Sequence, residues 1–90
     1  MKRRFVYIMA SRSRELYVGQ TPNLQRRMDQ HRRAWSGYVA RHDTRRLVYW
    51  EFIGPPEAAI AREKQIKKWT RMKKIALIES KNPTWKNLSP

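Results

Sequence analysis

Apolar and polar positions along the chain fall into short, differently patterned segments. An apolar run over residues 5–10 and a shorter alternating one over 15–18 are separated by Ser11-Arg12-Ser13-Arg14, a polar connection that predicts a β-hairpin. A simple antiparallel register centred on Arg12 sets Tyr7 directly opposite Tyr17. Strand side chains alternate, so the two phenols are then expected on one face, with Val6, Ile8, Leu16 and Val18 on the other. Gly19 is expected to end the second strand at a turn. Thr21-Pro22 reads as a helix start, with a hydroxyl cap and proline at the first helical position. A helix is predicted from Pro22 to about Ala34, because Leu24, Met28, His31 and Trp35 recur at spacings of four, three and four, one stripe of a 3.6-residue period. His31 is therefore expected on or near the buried side.

Residues 36–45 contain Gly37 and no clear period and predict a loop, whereas 46–52, rich in β-branched and aromatic residues, predict a third strand. Gly54-Pro55-Pro56 breaks it. A helix is predicted over 57–69 and a second over 70–80, either separate or continuing the first after a kink. In the tail, Trp85 and Leu88 are expected to pack back onto the domain. The order ββαβαα predicts an α+β fold: a small three-stranded, mainly antiparallel sheet flanked by helices. One domain is expected over 1–90, with its core at about 4–80 and a C-terminal tail at 81–90.

Charge changes the picture most. Twenty-one Lys and Arg against seven Asp and Glu give +14 on 90 residues, well beyond what solubility requires, and favour a polyanionic partner, with nucleic acid leading. A solvated basic surface or ribosome-like RNA packing is the alternative. With no cysteine there are no disulfides or thiolate metal sites, which fits a reducing cytoplasm. The run 5–10 is too short to cross a membrane. Its basic leader, Met1-Lys2-Arg3-Arg4, imitates a signal peptide, but the stretch is short, contains Tyr7 and is followed by an alternating strand pattern, so it is read as mature protein.

Hydrolysis of a phosphodiester requires a positioned water, charge stabilisation on the phosphoryl oxygens and stabilisation of the leaving oxygen. Arg27 and His31, four apart on one predicted helix, project from the same face and can meet a single phosphate. A guanidinium suits it, being planar and always charged, although only its stripe position separates Arg27 from Arg26. His31 reads either as a hydrogen-bonded core histidine or as a proton relay. Tyr17 reads either as a packing aromatic or, opposite Tyr7, as a donor to the scissile phosphate. Gly19 allows a tight turn or a close approach of backbone to substrate. Glu63 lies at the apolar margin of its helix and needs a partner, either a basic side chain or a hard cation such as Mg²⁺. Lys67, Lys68, Arg71, Lys73 and Lys74, with Trp69 among them, suit contact with backbone phosphates or form a solvated face.

Phe5-Val6-Tyr7, Tyr17-Val18-Gly19, Thr21-Pro22-Asn23-Leu24-Gln25-Arg26-Arg27 and His31 succeed one another in an order that resembles the GIY-YIG nuclease superfamily. Phe5 and Val6 replace Gly and Ile of the first motif, and Val18 replaces Ile of the second. The similarity continues through Leu47-Val48-Tyr49, Glu63-Lys64-Gln65-Ile66-Lys67-Lys68-Trp69 and Asn82-Pro83, and is greatest to short, single-domain bacterial members. Within 37–42, Val39 and His42 stand where Thr and Tyr are expected.

The resemblance implies a divalent-metal-dependent DNA endonuclease using Mg²⁺ or Mn²⁺, with Arg27 as the catalytic arginine and Glu63 as a metal-binding carboxylate. Tyr7, Tyr17 and His31 complete the site. His31 would orient or deprotonate Tyr7, which activates the attacking water; a phenol with a free pKa of about 10 needs nearby cations or metal for this. Asn82 would support the site. A one-carboxylate site would bind metal weakly until DNA arrives. Repair or recombination of branched, flapped or damaged DNA is the expected process, and two cuts on a duplex from one site would need dimerisation or successive nicking. The alternative is a non-catalytic nucleic-acid-binding protein that keeps the fold. A third reading, an RNA-binding accessory of translation, rests on size and charge.

Overall fold

The computed structural model describes residues 4–35 and 46–89; the loop expected over 36–45, with its Val39 and His42, lies outside them. The elements follow the expected order: β1 (Arg4–Ala10), β2 (Leu16–Thr21), α1 (Leu24–Trp35), β3 (Arg46–Ile53), α2 (Pro56–Lys68) and α3 (Arg71–Lys81). The three strands pair antiparallel in the order β2-β1-β3, so β1 is central and β2 is an outer strand. This is the expected α+β architecture.

Alternation along the strands sorts side chains into two layers. Val6, Ile8, Ala10, Val48 and Tyr49 form one core with Ala59 and Ile66 of α2, Ile78 of α3 and Trp85 of the tail. Tyr7, Met9 and Leu47 form a smaller one with Met28 of α1, against which Leu24 packs. Each fully buried aliphatic side chain contributes roughly 1.5–3 kcal/mol of burial free energy. The larger layer therefore carries most of the stability, and the smaller one carries Tyr7.

The hairpin register differs from expectation by one residue at its centre. Ser11 and Glu15 close the loop: Ser11 N–H donates to Glu15 O at 3.0 Å, Arg14 N–H donates to Ser11 O at 2.9 Å, and Ser11 Oγ accepts from Glu15 N–H at 3.0 Å. Arg14 takes the left-handed φ of 65° that completes such a three-residue connection. The pairing is consequently centred on Ser13, not Arg12, and sets Tyr7 opposite Gly19 and Tyr17 opposite Met9. The two phenols still share a face, as diagonal neighbours rather than a direct pair. Gly19 does not end β2, which runs on to Thr21.

The cap of α1 is Asn23 rather than Thr21. Asn23 Oδ1 accepts from Arg26 N–H at 3.0 Å, while Thr21 Oγ1 accepts from Asn23 N–H at 3.3 Å one step earlier. The last two helices are separate. Trp69 and Thr70 are both extended, and Thr70 caps α3 by accepting from Lys73 N–H at 3.2 Å.

The tail docks as expected at Trp85, which is 1% exposed and donates from Nε1 to Glu79 at 2.7 Å. Leu88 docks through its N–H, which donates to Leu47 O at 2.8 Å, and its side chain, 39% exposed, lies beside Trp50. The guanidinium of Arg14 stacks on Trp85 at 4.4 Å, and Arg71 Nη1 donates to Arg14 O at 2.7 Å, tying the hairpin tip to tail and α3. No helix of the described residues is long and apolar enough to cross a membrane.

Candidate active site

Tyr7 rises from the central strand, and its ring lies across Gly19 of the neighbouring one. A Cβ at Gly19 would stand 2.6 Å from Tyr7 Oη and 2.7 Å from its Cζ, so any side chain there would have to displace the Tyr7 ring. The expectation of a tight turn at Gly19 is corrected on this ground: what approaches its backbone is the Tyr7 phenol. Tyr7 is 5% exposed overall.

Two side chains of α1 converge on that phenol. Arg27 Nε donates to Tyr7 Oη at 3.3 Å, and His31 Nε2 lies 3.4 Å from the same oxygen, with the two rings edge to face. Both contacts are at the long end of hydrogen-bonding distance. Because Oη accepts from Arg27, its own proton is available to His31 whenever Nε2 is unprotonated. The one-turn spacing on α1 sets this up: Met28, between them, is buried at 2% exposure and fixes the helix rotation.

Glu63 reaches the same place from α2. It sits on the other side of β2, its side chain only 18% exposed, with its carboxylate 3.0 Å from Lys67 Nζ. The basic partner weighed from the sequence is therefore present. Tyr17 is 39% exposed and donates from its hydroxyl to Glu15 at 2.8 Å.

These residues line one cleft of about 330 Å³: Tyr7, Met9, Tyr17, Val18, Gly19, Gln20, Arg27, His31, Glu63 and Lys67. Tyr17 and Gly19 belong to the face of β2 that α1 covers, Val18 and Gln20 to the other. The cleft thus straddles an outer strand, which is why helices on opposite sides of the sheet can both reach it. Glu63 is the carboxylate among its lining residues, and among the described residues no group of three or more His, Asp, Glu or Cys comes together.

The expected phosphate-binding stretch divides. Lys67 lines the cleft, while Lys68 is exposed on α2. Arg71 is engaged with the hairpin tip, and Lys73 lies over the Trp69 ring at 4.8 Å on the far side of the helix break. Lys74 is half-buried on α3. Asn82 lies outside the cleft: buried at the end of α3, it donates from Nδ2 to Val48 O at 3.0 Å and to Lys86 O at 2.9 Å, and accepts from Lys86 N–H at 3.0 Å. It fastens helix, sheet and tail to one another.

Sequence reasoning missed the device that seats α2. Glu51 accepts from Tyr49 Oη at 3.0 Å and from Arg62 Nε at 2.6 Å, and Arg62 Nη1 donates on to Gln65 at 2.8 Å. Burial, helped by the Glu51 carboxylate, pushes the Tyr49 phenol up to about 12. The hydrogen bond to Glu51 raises Arg62 in turn. Arg62 immediately precedes Glu63, so this link from β3 positions the carboxylate. The signal available was Glu51 itself, a charge two residues from Tyr49 and hence on the same strand face, which demands a partner.

The GIY-YIG catalytic domain model matches residues 3–76. A UPF0213 protein of Clostridium perfringens is 38% identical over 79 residues, covering 87% of this chain and 85% of the relative. One from Syntrophus aciditrophicus is 33% identical over 85 residues, covering 92% and 97%. The solution NMR structure of a UPF0213 protein from Bacillus halodurans superposes with a TM-score of 0.62 at 28% identity, covering 94% of this chain and 92% of that one.

Proposed function

Because this chain belongs to the GIY-YIG catalytic-domain family, we propose that it is a divalent-metal-dependent DNA endonuclease whose single site is the cleft across β2. The observation that carries the reading is the convergence of Tyr7, Tyr17, Arg27, His31 and Glu63 on that cleft from two strands and two helices.

Glu63 fits a hard cation. It offers one carboxylate in an open cleft, and Mg²⁺ or Mn²⁺ commonly takes one such ligand and fills its shell with waters and phosphate oxygens. When bound, the ion supplies charge neutralisation at the phosphoryl group and stabilises the leaving oxygen. The chain's own residues do the rest. Arg27 holds the scissile phosphate through its guanidinium, with Tyr17 as a second donor. The attacking water gives its proton to Tyr7 Oη as the Tyr7 proton passes to His31 Nε2, and the new P–O bond forms as the bond to the leaving oxygen breaks. Lys67, which holds Glu63 in the resting cleft, turns to phosphate when substrate enters.

A domain of 37 × 28 × 20 Å that acts through a single site follows backbone geometry, so branched, flapped or damaged DNA of repair and recombination is the proposed substrate class, acted on in the cytoplasm and one strand at a time. Cleavage of supercoiled plasmid and flapped DNA with Mg²⁺ or Mn²⁺ tests the reading against Arg27→Ala and Glu63→Ala. The expected result is metal-dependent nicking that falls by about 10²–10³ in each variant.

The Glu63–Lys67 ion pair favours a second reading, a non-catalytic nucleic-acid-binding protein, because a carboxylate already paired needs no metal. Equal cutting by all three preparations, or none, establishes that one instead.

A further inference from the structure

The candidate active site is one end of a longer track. Its cleft shares Gln20 and Arg27 with a groove of about 410 Å³ that rounds the start of α1. That groove shares Pro22 and Asn23 with an apolar hollow of about 430 Å³, which includes Phe5 and Trp50. The hollow in turn shares Trp50 and Leu88 with a fourth cavity of about 500 Å³, where Lys81 lies.

Aromatic rings pave the far part of this track. Trp50 is the cross-strand partner of Tyr7, and Phe52 that of Phe5, so all four rings stand on the α1 face of the sheet. Phe5 meets Trp50 edge to face at 5.6 Å and lies tilted against Phe52 at 4.6 Å. Helix α1 buries Tyr7 but leaves Trp50 41% exposed, an indole shelf beside the catalytic tyrosine. Cations flank the shelf at Arg26 and Arg27 on one side and at Lys81 on the other, where Glu51, neutralised by Arg62, also lines the cavity.

A planar apolar shelf flanked by cations complements a chain in which planar bases alternate with phosphates. A second copy of this chain is disfavoured as the occupant, since it would bring +14 against +14. Within duplex DNA the base faces are stacked on one another, and an indole reaches them only by unstacking a step at a cost of about a few kcal/mol. We propose that the Phe5–Trp50 shelf is a subsite for single-stranded DNA, with Trp50 stacking on a base of a strand that leaves the cleft around the start of α1. The inference rests on the endonuclease reading and names its substrate: a junction between duplex and single strand.

The test measures binding in EDTA, where no cutting occurs, of labelled oligothymidylate of about 20 nucleotides and of a blunt duplex of equal length. Trp50→Leu is expected to weaken oligothymidylate binding by about tenfold or more and to change duplex binding by less than about twofold. Trp50→Phe restores most of the loss, and Phe5→Leu on the neighbouring strand reproduces it should Trp50→Leu melt early. Undiminished oligothymidylate binding by both leucine variants overturns the proposal, as does an equal loss on both DNAs. So does a concentration-dependent dimer, seen by sedimentation, that Trp50→Leu abolishes without touching oligothymidylate binding. A protein that never cuts yet binds oligothymidylate through Trp50 sinks the nuclease reading and keeps the subsite. One that needs Arg27 for nicking but not Trp50 for single-strand binding does the reverse.

Discussion

Gly19→Ala is the sharpest single perturbation that the fold offers. No glycine in the described residues has a positive φ, so alanine pays no backbone penalty at this position, and its β-propensity is no worse than that of glycine. The entire effect must come from the added methyl, which would stand 2.6 Å from Tyr7 Oη, 2.7 Å from Cζ and 3.2 Å from Cε2. Reaching even a tight contact of 3.4 Å requires the ring to retreat by about 0.8 Å. Tyr7 is 5% exposed on the central strand and has little room to do so. Overpacking of this kind costs about 1–3 kcal/mol, or a fall in Tm of roughly 5–20 °C for a domain of this size. The phenol oxygen would also shift relative to Arg27 and His31, whose contacts at 3.3 and 3.4 Å are already at the long end of hydrogen-bonding distance. A misplacement approaching 1 Å is expected to lower nicking by about 10²-fold. Thermal denaturation and plasmid nicking read the two effects separately. A double-mutant cycle with Tyr7→Leu isolates the cause, because the alanine should cost little once the ring is gone. Full stability and full cleavage in Gly19→Ala, or a cost unchanged in the Tyr7→Leu background, would refute the steric account.

Three further expectations concern other parts of the same framework. Asn82→Ala strips hydrogen bonds from Val48 O, Lys86 O and Lys86 N–H, and should destabilise by about 2–4 kcal/mol in a urea melt, with Trp85 emission shifting red as the tail lifts. Lys67→Ala releases Glu63 and should tighten Mn²⁺ binding to the free protein, measured calorimetrically, while weakening DNA binding; unaltered Mn²⁺ affinity would show that the ion pair does not compete. The Tyr49 phenol, raised from 10.0 to about 12, favours the fold while neutral; its stabilisation is full below pH 10 and is lost as pH rises to about 12. An alkaline stability profile should therefore decline over that window by up to on the order of 2–3 kcal/mol, and Tyr49→Phe should flatten it.

Element order and sheet type were legible because periodicity reports them directly: a run of 5–10, a stripe at Leu24, Met28 and His31, and a break at Gly54-Pro55-Pro56 each leave one reading. Register was not, because it depends on one residue in the hairpin loop. Arg14 adopts a left-handed φ that no sequence signal announces, arginine being an uncommon residue there. The error had a limited consequence. Moving the centre from Arg12 to Ser13 shifts the pairing by two residues and preserves the parity of faces, so Tyr7 and Tyr17 kept their common side while their partners changed. Thr-Pro is a strong start signal and points to Thr21 as the cap, whereas Asn23, two residues later, makes the bond. The Glu51–Arg62 link joins β3 to α2 across eleven residues of chain, a tertiary contact that helical or strand spacing cannot encode.

The position of the cleft follows from the smallness of the sheet. A central strand is covered on both faces, so a site built on it would be reachable from one layer at a time. An outer strand can be gripped by helices from both faces at once, and β2 is gripped in this way, with Arg27 and His31 on one side and Glu63 and Lys67 on the other. Outer strands carry a liability, their unpaired backbone edge, which natural sheets blunt with charge. Here charged side chains from both helices stand beside β2 and form the cleft. Tyr7 resolves the remaining difficulty, which is rigidity. It is mounted on central β1, within the Met9–Met28–Leu47 cluster, and reaches the outer strand only through the gap at Gly19. The proposed reacting oxygen is thus held by the best-packed strand, while the groups proposed to meet phosphate stand at the solvent edge. A three-stranded sheet can satisfy both demands only if one residue of its outer strand has no side chain, and Gly19 is that residue.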